Sequence, residues 1–258
     1  MGTGSQFARY PSLRDRIVVV TGGASGIGEA IVEAFTANGS QVVFLDVQTE
    51  AAERLVARLT DGSPHAPVFV PCDLTDNTSQ RAAVEGILRE FDAVDVLVNN
   101  AGNDTRHTIE EVTPEFWDRT IAVNLKQQFF MAQAVIPGMR QAGRGSIINM
   151  SSIAWMIPSI NVPVYVTAKA GIVGMTRTLA HELGRWNIRV NCVLPGAIAT
   201  ERQRRLWLTP EYEAEVLAAQ ALQRLIEPEE VARLILFLAA DDSSAITNQS
   251  HIIDGGWV

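Results

Sequence analysis

Arg16-Ile-Val-Val-Val-Thr21, running without a break into Gly22-Gly-Ala-Ser-Gly-Ile-Gly28, is the stretch that decides the fold of this chain. Its first half is a short β-branched run of the kind that forms a strand buried on both faces. Its second half is a glycine turn, and an amphipathic helix is predicted to follow over 26–38. Glycines at 22, 26 and 28 permit a tight turn, let backbone N–H groups approach a pyrophosphate, and let the helix pack hard on the strand. A second strand, Gln41-Val-Val-Phe-Leu-Asp46, ends in an acid eighteen residues after Gly28. A carboxylate there can hold both ribose hydroxyls of an adenine nucleotide, so strand, turn, helix and acid together predict a dinucleotide site.

The same alternation continues through the chain. Strands are predicted at 16–21, 41–46, 67–71, 95–98, 145–150, 188–193 and 251–253, with helices at 26–38, 49–60, 76–91, a pair near 114–140, 163–184 and several within 201–240. That order predicts an α/β protein: a single-domain Rossmann fold over residues 1–258, with a doubly wound parallel sheet of about seven strands and helices on both faces. A length of 258 residues could hold two domains, but no Pro/Ser-rich linker divides them. The ligand crevice of such a sheet lies at the carboxyl ends of its strands, where the strand order reverses. Asp73-Leu74, Asn99-Asn-Ala-Gly102 and Pro195-Gly196 all follow strands at that edge. Residues 201–227 break the alternation and carry Arg202, Arg204, Arg205, Trp207 and Tyr212, so the segment near 197–227 is expected to cover the substrate.

Composition narrows the function classes. A net charge of −8 disfavours nucleic acid and anionic membrane surfaces as partners. No apolar run reaches the roughly 18 residues of a membrane span, and Met1 to Tyr10 lacks the basic and apolar regions of a signal peptide, so a cytoplasmic protein is expected. Cys72 and Cys192 border apolar strands without a CxxC partner and read as small buried side chains. His65, His107, His181 and His251 are scattered, and no metal site is expected.

The chemistry is concentrated in Ser152, Tyr165 and Lys169. Positions 165 and 169 stack on one face of the helix that begins at Pro163. A phenol ionises near pH ~10, so it becomes a useful base at neutral pH only beside a positive charge, which Lys169 would supply. Ser152 follows the apolar run Ser146-Ile-Ile-Asn-Met150, which places its hydroxyl at a strand end, free to bond a substrate oxygen.

Taken together, Thr21-Gly-x3-Gly-x-Gly28, Asn99-Asn-Ala-Gly102, Asn124, Ser152, Tyr165-x3-Lys169 and Pro195-Gly196 make the chain resemble the short-chain dehydrogenase/reductase family over almost its whole length. The resemblance implies hydride exchange between nicotinamide C4 and a carbinol or carbonyl carbon. Tyr165 would then be the acid/base, Lys169 would lower its pKa and bind the nicotinamide ribose, Ser152 would hold the reacting oxygen, and Asn124 would anchor a water of the proton relay. It also implies cofactor contacts from Gly22, Ser25, Gly26, Ile27 and Gly28, from Asp46, from Asp73 and Leu74 at the adenine, from Asn100, Ala101 and Gly102, and from Pro195, Gly196, Ile198 and Thr200. NAD is expected over NADP, because a 2′-phosphate would meet the charge of Asp46 while neither Ser25 nor Val47 offers a compensating cation. One departure is Asn248, where many relatives have Gly; Asn tolerates the left-handed conformation that such a turn needs. Asp254-Gly-Gly-Trp257 is similar to the family's C-terminal strand and turn, and a homotetramer is implied by resemblance alone.

Within the family, Asn103-Asp-Thr-Arg-His107, Trp155 and Glu201-Arg-Gln203 look like the bacterial aldose 1-dehydrogenases of the D-xylose 1-dehydrogenase type. A sugar pocket needs convergent hydroxyl partners and an aromatic face, which Asn103, Arg106, His107, Gln203 and Trp155 could supply beside Ser152 and Tyr165. The expected reaction is oxidation of an aldose such as D-xylose, L-arabinose or D-galactose at C1 to the aldonolactone. A 3-oxoacyl or hydroxysteroid reductase would use the same three side chains, but the polar loop after Gly102 disfavours it. A non-catalytic nucleotide-sensing scaffold would be expected to have lost Ser152, Tyr165 or Lys169, and none is lost.

Overall fold

The structure, a computed structural model, describes residues 7–258; the reading of Met1 to Tyr10 as lacking a signal peptide falls in part on residues 1–6, outside the described residues. The strands among the described residues are β1 (Ile17–Thr21), β2 (Gln41–Asp46), β3 (Val68–Pro71), β4 (Val96–Asn99), β5 (Gly145–Met150), β6 (Ile188–Pro195) and β7 (Ser250–Ile253). They form one parallel sheet in the order β3-β2-β1-β4-β5-β6-β7. The order reverses between β1 and β4, so the crevice opens between the turn after β1 and the segment after β4. The helices are α1 (Gly26–Ala37), α2 (Thr49–Thr60), α3 (Asn77–Phe91), α4 (Pro114–Ile121), α5 (Gln127–Ala142), α6 (Pro163–Leu183), α7 (Glu201–Leu206), α8 (Pro210–Ala219) and α9 (Pro228–Ala239).

Alternation along β1 explains the two-sided core. Val18 and Val20 pack among residues of α1, α2 and α9, while Val19 turns to the opposite face, among residues of α3, α5 and α6. Phe44 and Val43 of β2 divide the same way. Each of these side chains is almost wholly removed from water, which contributes on the order of 1.5–3 kcal/mol apiece. Among the described residues no helix is long and apolar enough to cross a membrane.

The differences from the sequence expectation have local causes. β1 starts at Ile17, the first residue in register with β2, opposite Gln41. β6 runs on to Pro195, since pairing with β7 continues there. The helices expected near 114–140 are α4 and α5 joined through a π-helical turn, Ala122–Lys126. Asn248 adopts a φ of 61°, the left-handed conformation that its turn requires.

Candidate active site

The turn between β1 and α1 is held by contacts that only glycine permits. Gly22 and Gly26 have φ of 67° and 59°. A Cβ on Gly22 would lie 2.8 Å from Ala101 Cα, and one on Gly28 would overlap the Gly22 carbonyl. The segment after β4 is therefore pressed onto the turn and bonded to it. Asn100 Nδ2 donates to Thr21 O at 3.0 Å and Gly22 O at 2.9 Å, while the Asn100 and Ala101 amides both donate to Thr21 Oγ1.

Three observations fit a dinucleotide in this cradle. Ser25, the N-cap of α1, accepts no hydrogen bond from the helix and instead accepts from Gln48 Nε2 at 3.0 Å, leaving the first-turn N–H groups open to an anion. Asp46, 6% exposed, accepts from Ala24 N at 2.9 Å and from Gln48 N at 3.0 Å, which fixes the carboxylate and leaves lone pairs for hydroxyl donors. A Cβ on Gly26 would come 3.2 Å from the Thr200 side chain, so Thr200 faces the turn directly. Thr200 Oγ1 also caps α7 by accepting from Gln203 N at 3.2 Å. Asp73 forms a closed turn with Thr75 beyond β3, and the α3 cap is Asp76. Gly196 packs on Asp254, and Ile198 bridges to Ile226. Ile27 is partly buried against the core.

A buried polar network floors the reacting end. Asn99 Nδ2 donates to Asn149 Oδ1 at 2.9 Å and to Gln128 O at 3.1 Å; Asn149 Nδ2 donates to Thr176 Oγ1 at 3.0 Å; Gln128 Nε2 donates to Met150 O at 3.2 Å. This network ties β4, β5, α5 and α6 beneath Ser152 and Tyr165. Ser152 accepts from Ala154 N at 3.1 Å, and its hydroxyl is the neighbour that draws the Tyr165 phenol downward. Lys169, 3% exposed, donates to Met150 O at 2.9 Å, with its Nζ 5.4 Å from the centre of the Tyr165 ring.

Electrostatics depart from expectation here. Burial pulls Lys169 down to about 8, opposed by Cys192 and Asp104. The Cys192 thiol is itself pushed up to about 11 by burial, so at neutral pH it carries no charge and Asp104 is the acid that counts. Burial raises the Tyr165 phenol above its ordinary value, Asp104 raises it further, and the Ser152 hydrogen bond opposes both. In the protein's own groups burial and Asp104 outweigh the Ser152 contribution, so the phenol stands raised, while Lys169 holds its Nζ 5.4 Å from the ring centre and donates to Met150 O.

Asn124 lies in the π-helical turn and is fully buried. Its Oδ1 accepts from Asn103 N at 2.9 Å, and its Nδ2 donates to Asn103 O and Thr120 O, each at 3.0 Å. The side chain is therefore a clamp on the loop. The Asn124 backbone carbonyl accepts from Gln128 Nε2 at 3.4 Å. Gly102 is the gap between these groups: a Cβ there would meet Asn124 Oδ1 at 3.0 Å and Lys169 Nζ at 3.2 Å.

The structure assigns several predicted sugar contacts other partners. Asn103 Oδ1 closes a turn on Thr105 and accepts from Arg202 at 3.3 Å. The Arg106 guanidinium stacks over Trp207 at 4.6 Å and Tyr212 at 5.5 Å. Gln203 Nε2 donates to Asp104 at 2.7 Å. His107 is buried against Phe116, and its Nδ1 lies 2.9 Å from Thr105 O. A carbonyl only accepts, so Nδ1 carries the proton, and Nε2 is an acceptor without a protein partner. Trp155 is 36% exposed on the short turn after Ser152. Sequence reasoning passed over Asp104, although it stood inside the quoted loop; its link to Gln203 spans 99 positions and left no local signal.

Residues 22–258 match the family model described as enoyl-(acyl carrier protein) reductase. The chain is 49% identical over 250 residues to the D-xylose 1-dehydrogenase of Caulobacter vibrioides, covering 97% of this chain and 98% of that one. It is 48% identical over 249 residues to a protein of Rhizobium meliloti named probable galactose dehydrogenase, covering 96% and 97%. A solved 3-oxoacyl-[acyl-carrier protein] reductase from Brucella melitensis superposes with a TM-score of 0.90 at 34% identity, covering 100% of this chain and 98% of that one.

Proposed function

Because this chain belongs to the short-chain dehydrogenase/reductase family, we propose that it oxidises an aldose at C1 to the aldonolactone with NAD⁺ as hydride acceptor. The observation that carries the reading is the gathering of Ser152, Tyr165 and Lys169 at the carboxyl edge of the sheet, with Lys169 Nζ 5.4 Å from the Tyr165 ring centre and beside the gap at Gly102. The names of the relatives from Caulobacter vibrioides and Rhizobium meliloti support a sugar as substrate.

In this mechanism the glycine turn and the α1 N-terminus would hold the pyrophosphate of the dinucleotide, Asp46 its adenosine ribose, and Thr200 and Lys169 its nicotinamide end. When bound, that group would supply the hydride acceptor. Ser152 holds the anomeric oxygen, and Tyr165 takes its proton as the C1 hydride departs. Lys169, pulled down to about 8, exchanges protons near neutral pH, and the gap at Gly102 joins it to Asn124. The segment 197–227 closes over the sugar.

The Asp46 carboxylate favours NAD⁺ over NADP⁺ through like-charge repulsion of a 2′-phosphate, with exposed Val47 beside it in place of a cation. Comparing kcat/KM for the two cofactors should give a clear preference for NAD⁺; equal values would remove this argument. A cytoplasmic homotetramer completes the proposal. The subunit contact it implies is proposed for the face formed by α5 and α6, where an apolar hollow of about 620 Å³ is lined by Leu125, Phe129, Phe130, Gly171, Gly174 and Met175. Nicotinamide-reduction assays against aldoses, polyols, secondary alcohols and 3-hydroxyacyl thioesters test the substrate class. Aldose oxidation is expected; activity confined to thioesters or steroids would sink the sugar reading.

A further inference from the structure

Asp104 belongs to the loop after β4, yet its partners are on α7. Its Oδ2 accepts from Gln203 Nε2 at 2.7 Å, and its Oδ1 faces the Arg202 Nε and Nη2 atoms, each at 3.3 Å. Its side chain keeps 26% exposure, so one side stays open. It follows two residues after Gly102, where a Cβ would meet Lys169 Nζ at 3.2 Å, so the loop that carries it borders the proton-exchanging groups, and its charge acts to raise the pKa of both Tyr165 and Lys169.

His107 Nε2, the loop's unpartnered acceptor, is buried against Phe116, and the other neighbouring polar groups are engaged. The Asn103 side chain closes its own turn, the Asn124 amide clamps the Asn103 backbone, and Arg106 is stacked on two aromatic rings. Asp104 is different, being an acceptor-only group with about four lone-pair positions, part of them unfilled. The complementary partner is a hydroxyl donor of the substrate.

We propose that Asp104 is the specificity-determining residue of this site: it accepts a hydrogen bond from the hydroxyl adjacent to the reacting carbon, while its contacts with Gln203 and Arg202 hold α7 over the bound substrate. The proposal rests on the aldose reading and adds to it which hydroxyl is recognised and by what. A charged acceptor makes hydrogen bonds roughly twice as strong as a neutral one, and it is left unpaired when the adjacent carbon carries only hydrogen. The site should therefore reject a 2-deoxy sugar even though the reacting C1 hydroxyl is unchanged.

The test is a cycle between residue and substrate. The kcat/KM of wild type, Asp104→Asn and Asp104→Ala is measured on the best aldose from the screen and on its 2-deoxy analogue, with NADH affinity from fluorescence and thermal unfolding alongside. In wild type the 2-deoxy sugar should be poorer by about 10²-fold. In Asp104→Asn the parent sugar should fall by about 10- to 100-fold while the 2-deoxy penalty shrinks to less than about threefold, with NADH affinity unchanged. Asn keeps shape and an acceptor, so it remains informative if the Ala variant does not fold. An undiminished penalty in Asp104→Asn overturns the proposal and leaves the aldose reading intact. A wild type that oxidises other alcohols but no aldose overturns the aldose reading and this proposal with it.

Discussion

Tyr165 and Lys169 were legible in the sequence because four-residue spacing is a helix period, and the structure puts both on α6 with Nζ 5.4 Å from the ring centre. Their electrostatics were not legible. Whether a buried lysine acidifies a phenol depends on desolvation and on distant charges, and Asp104 arrives from another loop. Tyr165→Phe keeps the ring and removes the proton acceptor, so kcat should fall by at least ~10²-fold with NAD⁺ affinity near wild type. Retention of more than about a tenth of the wild-type rate would show that another group takes the proton. The pH profile has a worked sign. Oxidation needs the phenolate, so kcat/KM rises as pH climbs through the apparent pKa that Tyr165 and Lys169 share. Asp104 raises the phenol, while Ser152 lowers it. Asp104→Asn should therefore move the rising limb to lower pH, whatever it does to the plateau. A limb that stays put or moves up would mean that the Asp104 charge is not felt in the working complex.

Elements with strong periodicity were found with little error, as β2 at 41–46 and α2 at 49–60 show. The π-helical turn at Ala122–Lys126 was missed, because one inserted residue leaves hydrophobic periodicity almost unchanged. The loop 103–107 packs on the segment 201–219, Arg106 stacking on Trp207 and Tyr212 and Asn103 Oδ1 accepting from Arg202. Side-chain identity cannot reveal such pairings when the partners lie about a hundred positions apart. Arg106→Ala removes the guanidinium that lies against Trp207 and Tyr212, a stack worth about 0.5–2 kcal/mol. The aldose KM should rise by roughly three- to tenfold while the Kd for NADH holds. Limited proteolysis should find new cleavage within 201–219, and an unchanged KM and cleavage pattern would separate this arginine from closure.

At the scale of the molecule, the parallel sheet and its reversal between β1 and β4 followed from the βα alternation, and they brought the glycine turn, Asn99–Gly102 and Ser152 to one edge. The amide network beneath that edge was beyond sequence reasoning, since Asn99, Asn149, Gln128 and Thr176 meet only after four elements have packed. Its consequence is temporal. The floor of the site is cross-linked by buried amides that open only with the sheet, while the roof is fastened by contacts exposed to water. The two should run on separate clocks in amide hydrogen exchange. Amides of β4 and β5 should exchange at the rate of global unfolding, and those of α7 and α8 several orders of magnitude sooner, by local opening. Addition of NADH with an aldonolactone should slow the fast class and leave the slow class nearly untouched. Equal exchange in both regions would mean that roof and floor form one cooperative unit, in which substrate entry waits on the stability of the whole sheet.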